Sequence, residues 1–351
     1  MPNTPVALIH LDAIQRNLDL ARQLAPRSKI MAVVKADAYG HGAVAVSRAL
    51  KGVDALCVAR VNEGVLLREA EINLPILVLE GFLDLEELEV TRINRLLPVV
   101  HSRYQIEILK ASRHSDMRIW VKLDTGMHRL GFTPEEFHQG MTTGTSLAVR
   151  GVISHLAMAD APGHVDVQNQ VEVFSELTRG LDCELSIANS GAILHYPNSH
   201  FDWVRPGIML YGSSPTATPE PRLSAGMTLT APVLAVNRVH KGESIGYGGI
   251  WTASRETRVA VVGLGYADGY PREMPEGTPV LVNGERRPIV GRISMDMLFV
   301  QLEDDDKVAP GDPVIFWGQE LPVDEIANAA GTIGYTLLSQ LTARVTRRHA
   351  G

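Results

Sequence analysis

Eight short apolar runs, most of them separated by helical patterns, fill the first two thirds of this 351-residue chain. They are "IMAVVKA", "VDALCVA", "LPILVLE", "RLLPVV", "RIWVKLD", "VRGVISH", "CELSIAN" and "WVRPGIML". Each has the length of a strand and too few polar residues to face water on one side. "LDAIQRNLDLARQLA" precedes the first of them and places apolar residues three and four apart, as helices do, and the helical patterns "VNEGVLLREA", "HSRYQIEILKAS" and "VDVQNQVEVFSELTRG" follow later ones. Strands that alternate with helices pair in parallel. Eight such units within roughly 200–250 residues fit a closed (β/α)8 TIM barrel. A doubly wound open sheet is the competing arrangement.

The pattern changes at "SSPTATPEPRLSAG", Ser213 to Gly226, which reads as a linker. Beyond it, "TLTAPVLAVNRVH", "ESIGYGGIW", "TRVAVVGLGYADG", "TPVLVNGERRPIVGRISMDMLFVQL" and "DPVIFWG" are β-rich runs broken by Gly, Pro and a "VNGE" turn. One helical segment, "VDEIANAAG", comes late, and "EDDDK" (Glu303 to Lys307) reads as a solvated turn. The expected organisation is a barrel domain over 1–222 and a mainly β C-terminal domain over 223–351.

Composition narrows the function. The formal net charge is −7 and no basic block stands out, which argues against nucleic acid as a partner. The start, "MPNTPVALIHLD", lacks the charged and apolar regions of a signal peptide, and no apolar run reaches the length of a membrane span. Cys57 and Cys183 each lie in an apolar stretch and read as buried thiols. A cytoplasmic location is expected.

In a barrel, chemistry gathers at the C-terminal ends of the strands. Those ends carry Lys35, Arg129 in "DTGMHRLG", His155, Asn189 and Ser190 in "ANSGA", and Arg205 in "RPGI". Each has a plain structural reading. A lone lysine is usually a solvated charge. Ser190 reads equally as a helix N-cap. His155 reads as a core histidine, and both arginines as members of ion pairs. Together on one rim they point elsewhere. The loops after strands seven and eight are a barrel's usual phosphate site, and "NSGA" and "PGI" supply small residues there. A desolvated lysine forms Schiff bases with carbonyls. Pyridoxal 5'-phosphate (PLP) supplies both aldehyde and phosphate. Two other motifs fail. "GLGYADG" lacks the dinucleotide spacing and is followed by "YPREMPEG", which cannot open a helix. No zinc spacing occurs, so no metal site is supported.

Seven motifs in order, "AVVKADAYGHG", "KLDTGMHRLGF", "ANSGA", "RPGIMLYG", "IGYGG", "GYADGYPR" and "GRISMDM", with "GTIGY" near the C-terminus, resemble the alanine racemases of bacteria. The resemblance covers nearly the whole chain. It implies a PLP barrel followed by a β domain, in a head-to-tail homodimer with shared active sites. It implies that Lys35 tethers PLP and is one catalytic base, and that Tyr247, from the partner subunit, is the other. It makes Tyr39, Ser190, Gly207, Ile208 and Tyr335 the phosphate set, with Asn189 beside them among the cofactor contacts. Arg205 becomes the partner of the pyridine nitrogen, with His155 beside the ring. Arg129 and Met295 become the contacts to the carboxylate of the substrate, alanine. Lys122 sits where relatives can carry a carbamylated lysine. Asp160, Tyr266 and Arg292 resemble residues of the corridor leading to the site. The chain departs from many relatives at Ser339, where they have a cysteine.

The implied reaction removes and returns the Cα proton by two bases, supplying D-alanine for peptidoglycan or degrading it. A tyrosine acting as a base near neutral pH needs cations around it, and Arg129 and a protonated His155 are expected to serve. An arginine at the pyridine nitrogen leaves that nitrogen unprotonated and favours return of the proton to Cα over transamination. The alternatives are a broader-range amino acid racemase, whose known members are typically exported, and a non-catalytic PLP-binding homeostasis protein, which resembles the barrel alone. A barrel decarboxylase would need an acid in place of Arg205 and a cysteine in the β domain.

Overall fold

The computed structural model describes residues 4–112, 117–142 and 147–351. It forms two compact units. One comprises Gln15–Leu210 and Ser214–Arg222; the other runs up to Ile14, takes in Tyr211–Ser213 and continues from Leu223 to Gly351.

The first strand, β1 (Val6–His10), precedes the barrel. The barrel strands follow as β2 (Lys29–Val33), β3 (Ala55–Val58), β4 (Ile76–Val78), β5 (Leu97–Val100), β6 (Arg118–Lys122), β7 (Ala148–Ile153), β8 (Glu184–Ser186) and β9 (Trp203–Val204). They close in sequence order, and β9 returns to β2 with Trp203 opposite Lys29 and Val204 opposite Ile30. Each of the eight apolar runs carries one of these strands, so the barrel holds and the open sheet does not. β3 and β4 are buried at every residue, as strands covered on both faces must be.

Reciprocal caps fix where two outer helices begin. Asp84 accepts from Glu87 N (2.8 Å) while Glu87 accepts from Leu83 N (2.8 Å), opening the helix Leu85–Ile93. Ser102 accepts from Gln105 N (3.3 Å) while Gln105 accepts from His101 N (2.7 Å), opening Arg103–Ala111. Inside the barrel, Trp120 on β6 and Trp203 on β9 meet edge to face, 6.4 Å between centroids.

The other unit is a mainly antiparallel sheet. Its strands are β1 with β10 (Met227–Val239), β11 (Ser244–Ile245), β12 (Trp251–Thr252), β13 (Thr257–Val262), β14 (Pro279–Val282), β15 (Glu285–Val290), β16 (Leu298–Leu302), β17 (Pro313–Trp317) and β18 (Thr346–Ala350). The order is β13-β16-β15-β14-β17-β10-β1-β18, and β13 also pairs with β10; β11 and β12 form a separate ribbon. The N-terminal strand β1 therefore belongs to this sheet, antiparallel to β10 and parallel to β18. Its alternating burial over "VALIH" is that of a half-covered strand, unlike the buried barrel strands. The "VNGE" turn joins β14 to β15 with Asn283 and Gly284 at φ 52° and 85°, as a two-residue hairpin requires.

Two stretches are more structured than their composition suggests. In "EDDDK" four residues are exposed, but Asp306 turns inward to take two 2.6 Å bonds from Arg287. In the Pro/Ser/Thr-rich stretch, Ser214 Oγ donates to Thr218 O (2.7 Å) and Arg222 makes a two-pronged contact with Glu220, both bonds 2.7 Å. Two late helices follow, Val323–Ala329 and Gly334–Ser339, where the sequence pattern gave one. Among the described residues no helix is long and apolar enough to cross a membrane.

Gly151 on β7 shows how tightly the barrel is filled. A Cβ there would lie 2.5 Å from Glu184 O and 2.6 Å from the Trp120 ring. Gly151→Ala is therefore expected to destabilise the barrel by about 1–3 kcal/mol, the usual cost of overpacking. Thermal unfolding should shift down by roughly 3–10 °C, and an unchanged midpoint would contradict this packing.

Candidate active site

Lys35 stands where β2 leaves its ladder. Val34 N still donates to Cys57 O on β3, at 2.8 Å. The chain then makes one turn, Lys35–Gly40, in which Ala36, Asp37, Ala38 and Tyr39 all have φ of 51–53° and ψ of 42–51°. This is a left-handed helical turn without glycine among those four residues. Such a conformation costs an L-residue roughly 1–2 kcal/mol, so the surroundings must hold it. Ala36 N donates to Glu63 Oε1 (2.7 Å), Gly42 N to Asp37 O (2.9 Å) and Ala43 N to Asp37 Oδ1 (2.7 Å). His41 Nδ1 lies 3.0 Å from Ala38 O and 2.9 Å from Tyr39 O.

The turn buries Tyr39 with its hydroxyl against the loop after β9. A Cβ at Gly207 would lie 2.7 Å from that hydroxyl, so only glycine allows the approach. The loop after β8 closes onto the same place. Asn189, rather than Ser190, caps the helix Ser190–His195, accepting from Ala192 N at 3.1 Å. Ser190 Oγ instead accepts from Gly207 N (2.8 Å) and Met209 N (3.4 Å). The N–H of Ile208, a fully buried residue, meets no acceptor among the described residues.

Arg205 enters the barrel interior almost fully buried. Its Nη1 donates to Ser186 Oγ (2.7 Å), and its Nη2 to Ser154 O (2.6 Å) and Ile187 O (3.2 Å). Nη2 also lies 3.2 Å from His155 Nδ1. A guanidinium has only donors, so Nδ1 must accept and His155 is neutral with its proton on Nε2. Desolvation, then Arg205, Lys122, Arg129 and Lys35, hold the imidazole well below its usual range. The expectation of a protonated His155 is thus overturned, because burial and then four neighbouring cations disfavour a further charge on the ring. Beneath it, Gln170 donates to His155 O (3.0 Å) and Thr125 Oγ1 (3.0 Å) and accepts from Ala157 N (2.9 Å). Thr125 in turn meets Ser154 at 2.9 Å.

The two lysines feel the same field. Burial, then Arg129, lowers the Lys35 amine, with Glu63 and Glu80 opposing. Burial, Arg205 and Arg129 bring Lys122, at the end of β6, down to about 8. Arg129 is exposed on the following loop, whose Asp124 Oδ1 gathers the N–H groups of Gly126 (2.9 Å), Met127 (3.0 Å) and His128 (3.1 Å). Cys57 is a buried thiol pushed up to about 12, mainly by desolvation.

The barrel therefore brings together Lys35, Tyr39, Arg129, His155, Asn189, Ser190, Arg205, Gly207 and Ile208. Tyr247, Met295 and Tyr335 lie in the β unit. Tyr247 opens a short turn after Gly246 and is 70% exposed. Met295, 52% exposed, sits on a loop tied by Ala267 N to Met295 O (3.0 Å). Tyr335 is half-buried on Gly334–Ser339, where Ser339 Oγ donates back to Tyr335 O (2.6 Å). Of the residues expected along the corridor, Asp160 and Tyr266 are exposed and Arg292 is half-buried. Glu63, Gln170, Ser154 and Ser186 were not singled out from sequence. A polar residue on the buried side of an amphipathic helix was the one available signal, at Gln170.

Fold and site define a barrel with a desolvated lysine at a rim rich in cations, followed by a β module. The chain belongs to the alanine racemase family. The family model described as the N-terminal domain of alanine racemase matches residues 9–215, and that of the C-terminal domain matches 226–349. The chain is 47% identical to the alanine racemase of Pasteurella multocida over 95% of each chain. It is 44% identical to the biosynthetic alanine racemase of Salmonella typhimurium, over 97% and 98%. The biosynthetic alanine racemase of Pseudomonas aeruginosa superposes with a TM-score of 0.94, at 43% identity and full coverage of both chains. The Bartonella henselae alanine racemase, described with covalently bound pyridoxal phosphate, gives 0.93 at 31% identity, over 99% and 100%. The residues present fit that group. A desolvated amine, the unmet Ile208 N–H and the close approach of the Tyr39 hydroxyl to Gly207 stand together. Among the described residues no cluster suits a metal ion.

A neutral His155 has a measurable consequence. Its folded pKa lies below the unfolded value of about 6.5. The stability it confers is thus present above pH ~6.5 and is lost as pH falls below that value. Nitrogen NMR should show its ring singly protonated at pH 6; a doubly protonated ring there would contradict the tautomer.

Proposed function

We propose that this chain interconverts L- and D-alanine with PLP as cofactor, using Lys35 and Tyr247 as its two bases. The observation that carries the reading is the desolvated Lys35 amine beside the Ser190–Gly207–Ile208 cradle, in a chain matched by both alanine racemase domain families. When bound, PLP supplies a carbonyl for amines and a ring that spreads the negative charge left as Cα loses its proton.

The chain's own residues do the rest. Tyr39, Ser190, Gly207, Ile208 and Tyr335 would hold the phosphate, with Asn189 setting the helix that presents Ser190. Arg205 would face the ring nitrogen. Its Nε meets no acceptor among the described residues, and a group with donors alone leaves that nitrogen unprotonated. His155 keeps Arg205 in place from the side. Arg129 and the Met295 backbone take the substrate carboxylate. Lys35, its proton affinity lowered by burial and Arg129, exchanges a proton with one face of Cα. Tyr247 serves the other face, contributed by the partner in a homodimer. A cytoplasmic setting suits the substrate. Two relatives named biosynthetic favour supply of D-alanine over its degradation. The match of residues 226–349 to the family's C-terminal domain weighs against a barrel-only carrier.

With PLP added, the circular dichroism of L-alanine should decay to zero. A constant signal from folded protein would overturn the reading. Tyr247→Phe should slow racemisation by about 100-fold or more, within the usual range for a lost base. It should still exchange the Cα proton of one enantiomer with solvent deuterium. Equal loss of exchange from both enantiomers would remove the two-base assignment.

A further inference from the structure

We propose that Glu63 is the positioning residue for the PLP lysine, its carboxylate clamping the left-handed turn Lys35–Gly40 to the end of β3. The inference rests on the reading of Lys35 as the cofactor lysine. Glu63 lies on the helix Val61–Glu69 that follows β3. One of its oxygens accepts from Ala36 N at 2.7 Å. The other accepts from Ala59 N (2.7 Å) and Arg60 N (3.0 Å). Capping its own helix needs only the second oxygen. The first reaches 27 residues back to the amide that directly follows Lys35.

That amide is where a clamp is needed. Ala36 begins the run of four non-glycine residues at positive φ. Within the turn, Ala38 N can reach back to Val34 O (2.9 Å), whereas Ala36 N is met by Glu63. The far end of the turn is already pinned by Asp37 to Gly42 and Ala43. Glu63 holds the near end, so Lys35 and Tyr39 are set at fixed positions on one strained segment. Without that bond, the segment next to Lys35 is free to relax toward negative φ, and the amine and the phosphate anchor lose their common register.

Glu63→Ala in the full chain tests this. Hydrogen exchange at the amides of residues 36–39, measured without PLP, should quicken at least tenfold. The dissociation constant for PLP, read from the visible absorbance of the lysine-bound cofactor, should rise at least tenfold. Adding Ala36→Gly to Glu63→Ala should recover most of the lost PLP affinity, because glycine adopts the left-handed conformation without strain. A residue that only capped its helix would show no such rescue. Should Glu63→Ala not fold, Glu63→Gln carries the same test, since its amide must turn N–H against at least one of the three donors. Unchanged exchange and affinity, or an affinity loss that Ala36→Gly leaves in place, would overturn the proposal. Failure of the unaltered chain to bind PLP would count against the cofactor reading instead, and the exchange measurement would still decide the clamp.

Discussion

Everything at the barrel rim is organised around one buried cation. The Arg205 guanidinium sits inside the barrel, and its partners are two carbonyls, a hydroxyl and an imidazole nitrogen, with no carboxylate among them. A buried charge without such partners is costly. The polar atoms of β7 and β8 and the residues just beyond them, Ser154, Ser186 and Ile187, answer that cost. His155 is forced to accept, which fixes its tautomer and its neutrality. Gln170 and Thr125 then fix the backbone and hydroxyl on which Ser154 and His155 depend.

The second constraint is the left-handed turn. An extended continuation of β2 would carry residue 39 about 13 Å beyond Lys35. The helical turn instead brings position 39 back over position 35, one turn along the same side. Its left hand takes Tyr39 to Gly207, on the loop after β9, while Lys35 stays at the strand end. Alanine at positions 36 and 38 carries the strain with no long side chain to order. Gly207, which no side chain can replace, gives Tyr39 its place.

How much of this was legible follows from what each signal encodes. Barrel strands announce themselves because burial on both faces makes them continuously apolar, and all eight did. The strand Val6–His10 did not, because five residues of alternating burial before a long helix carry little signal and its partners, β10 and β18, lie more than 200 residues away. The rim residues Lys35, His155, Ser190 and Arg205 were legible as strand ends. Their protonation was not: whether His155 carries one proton or two depends on the direction of an Arg205 donor, set by a fold contact 50 residues apart in sequence. The hand of the turn after Lys35 was equally hidden. "KADAY" has ordinary propensities, and Glu63, its clamp, is 27 residues away in sequence. Glu303–Lys307 misled for a related reason, since four solvated acidic and basic neighbours mask the one carboxylate that pairs with Arg287.

Burial and Arg129, rather than Arg205, suit Lys35 to its task. An amine acts as nucleophile or base only in its neutral form. Burial starts to favour that form at Lys35, and the uncompensated charge of Arg129 adds to it, while Glu63 and Glu80 pull the other way. Lys122 responds in the same sense, with Arg205 its leading charged neighbour. A carboxylate among the partners of Arg205 would neutralise part of that field and raise the Lys122 amine again. It would also weaken the attraction for any anion entering the cradle. A single choice of partners, carbonyls and a hydroxyl in place of an acid, thus keeps the rim cationic toward a phosphate and holds the Lys122 amine down.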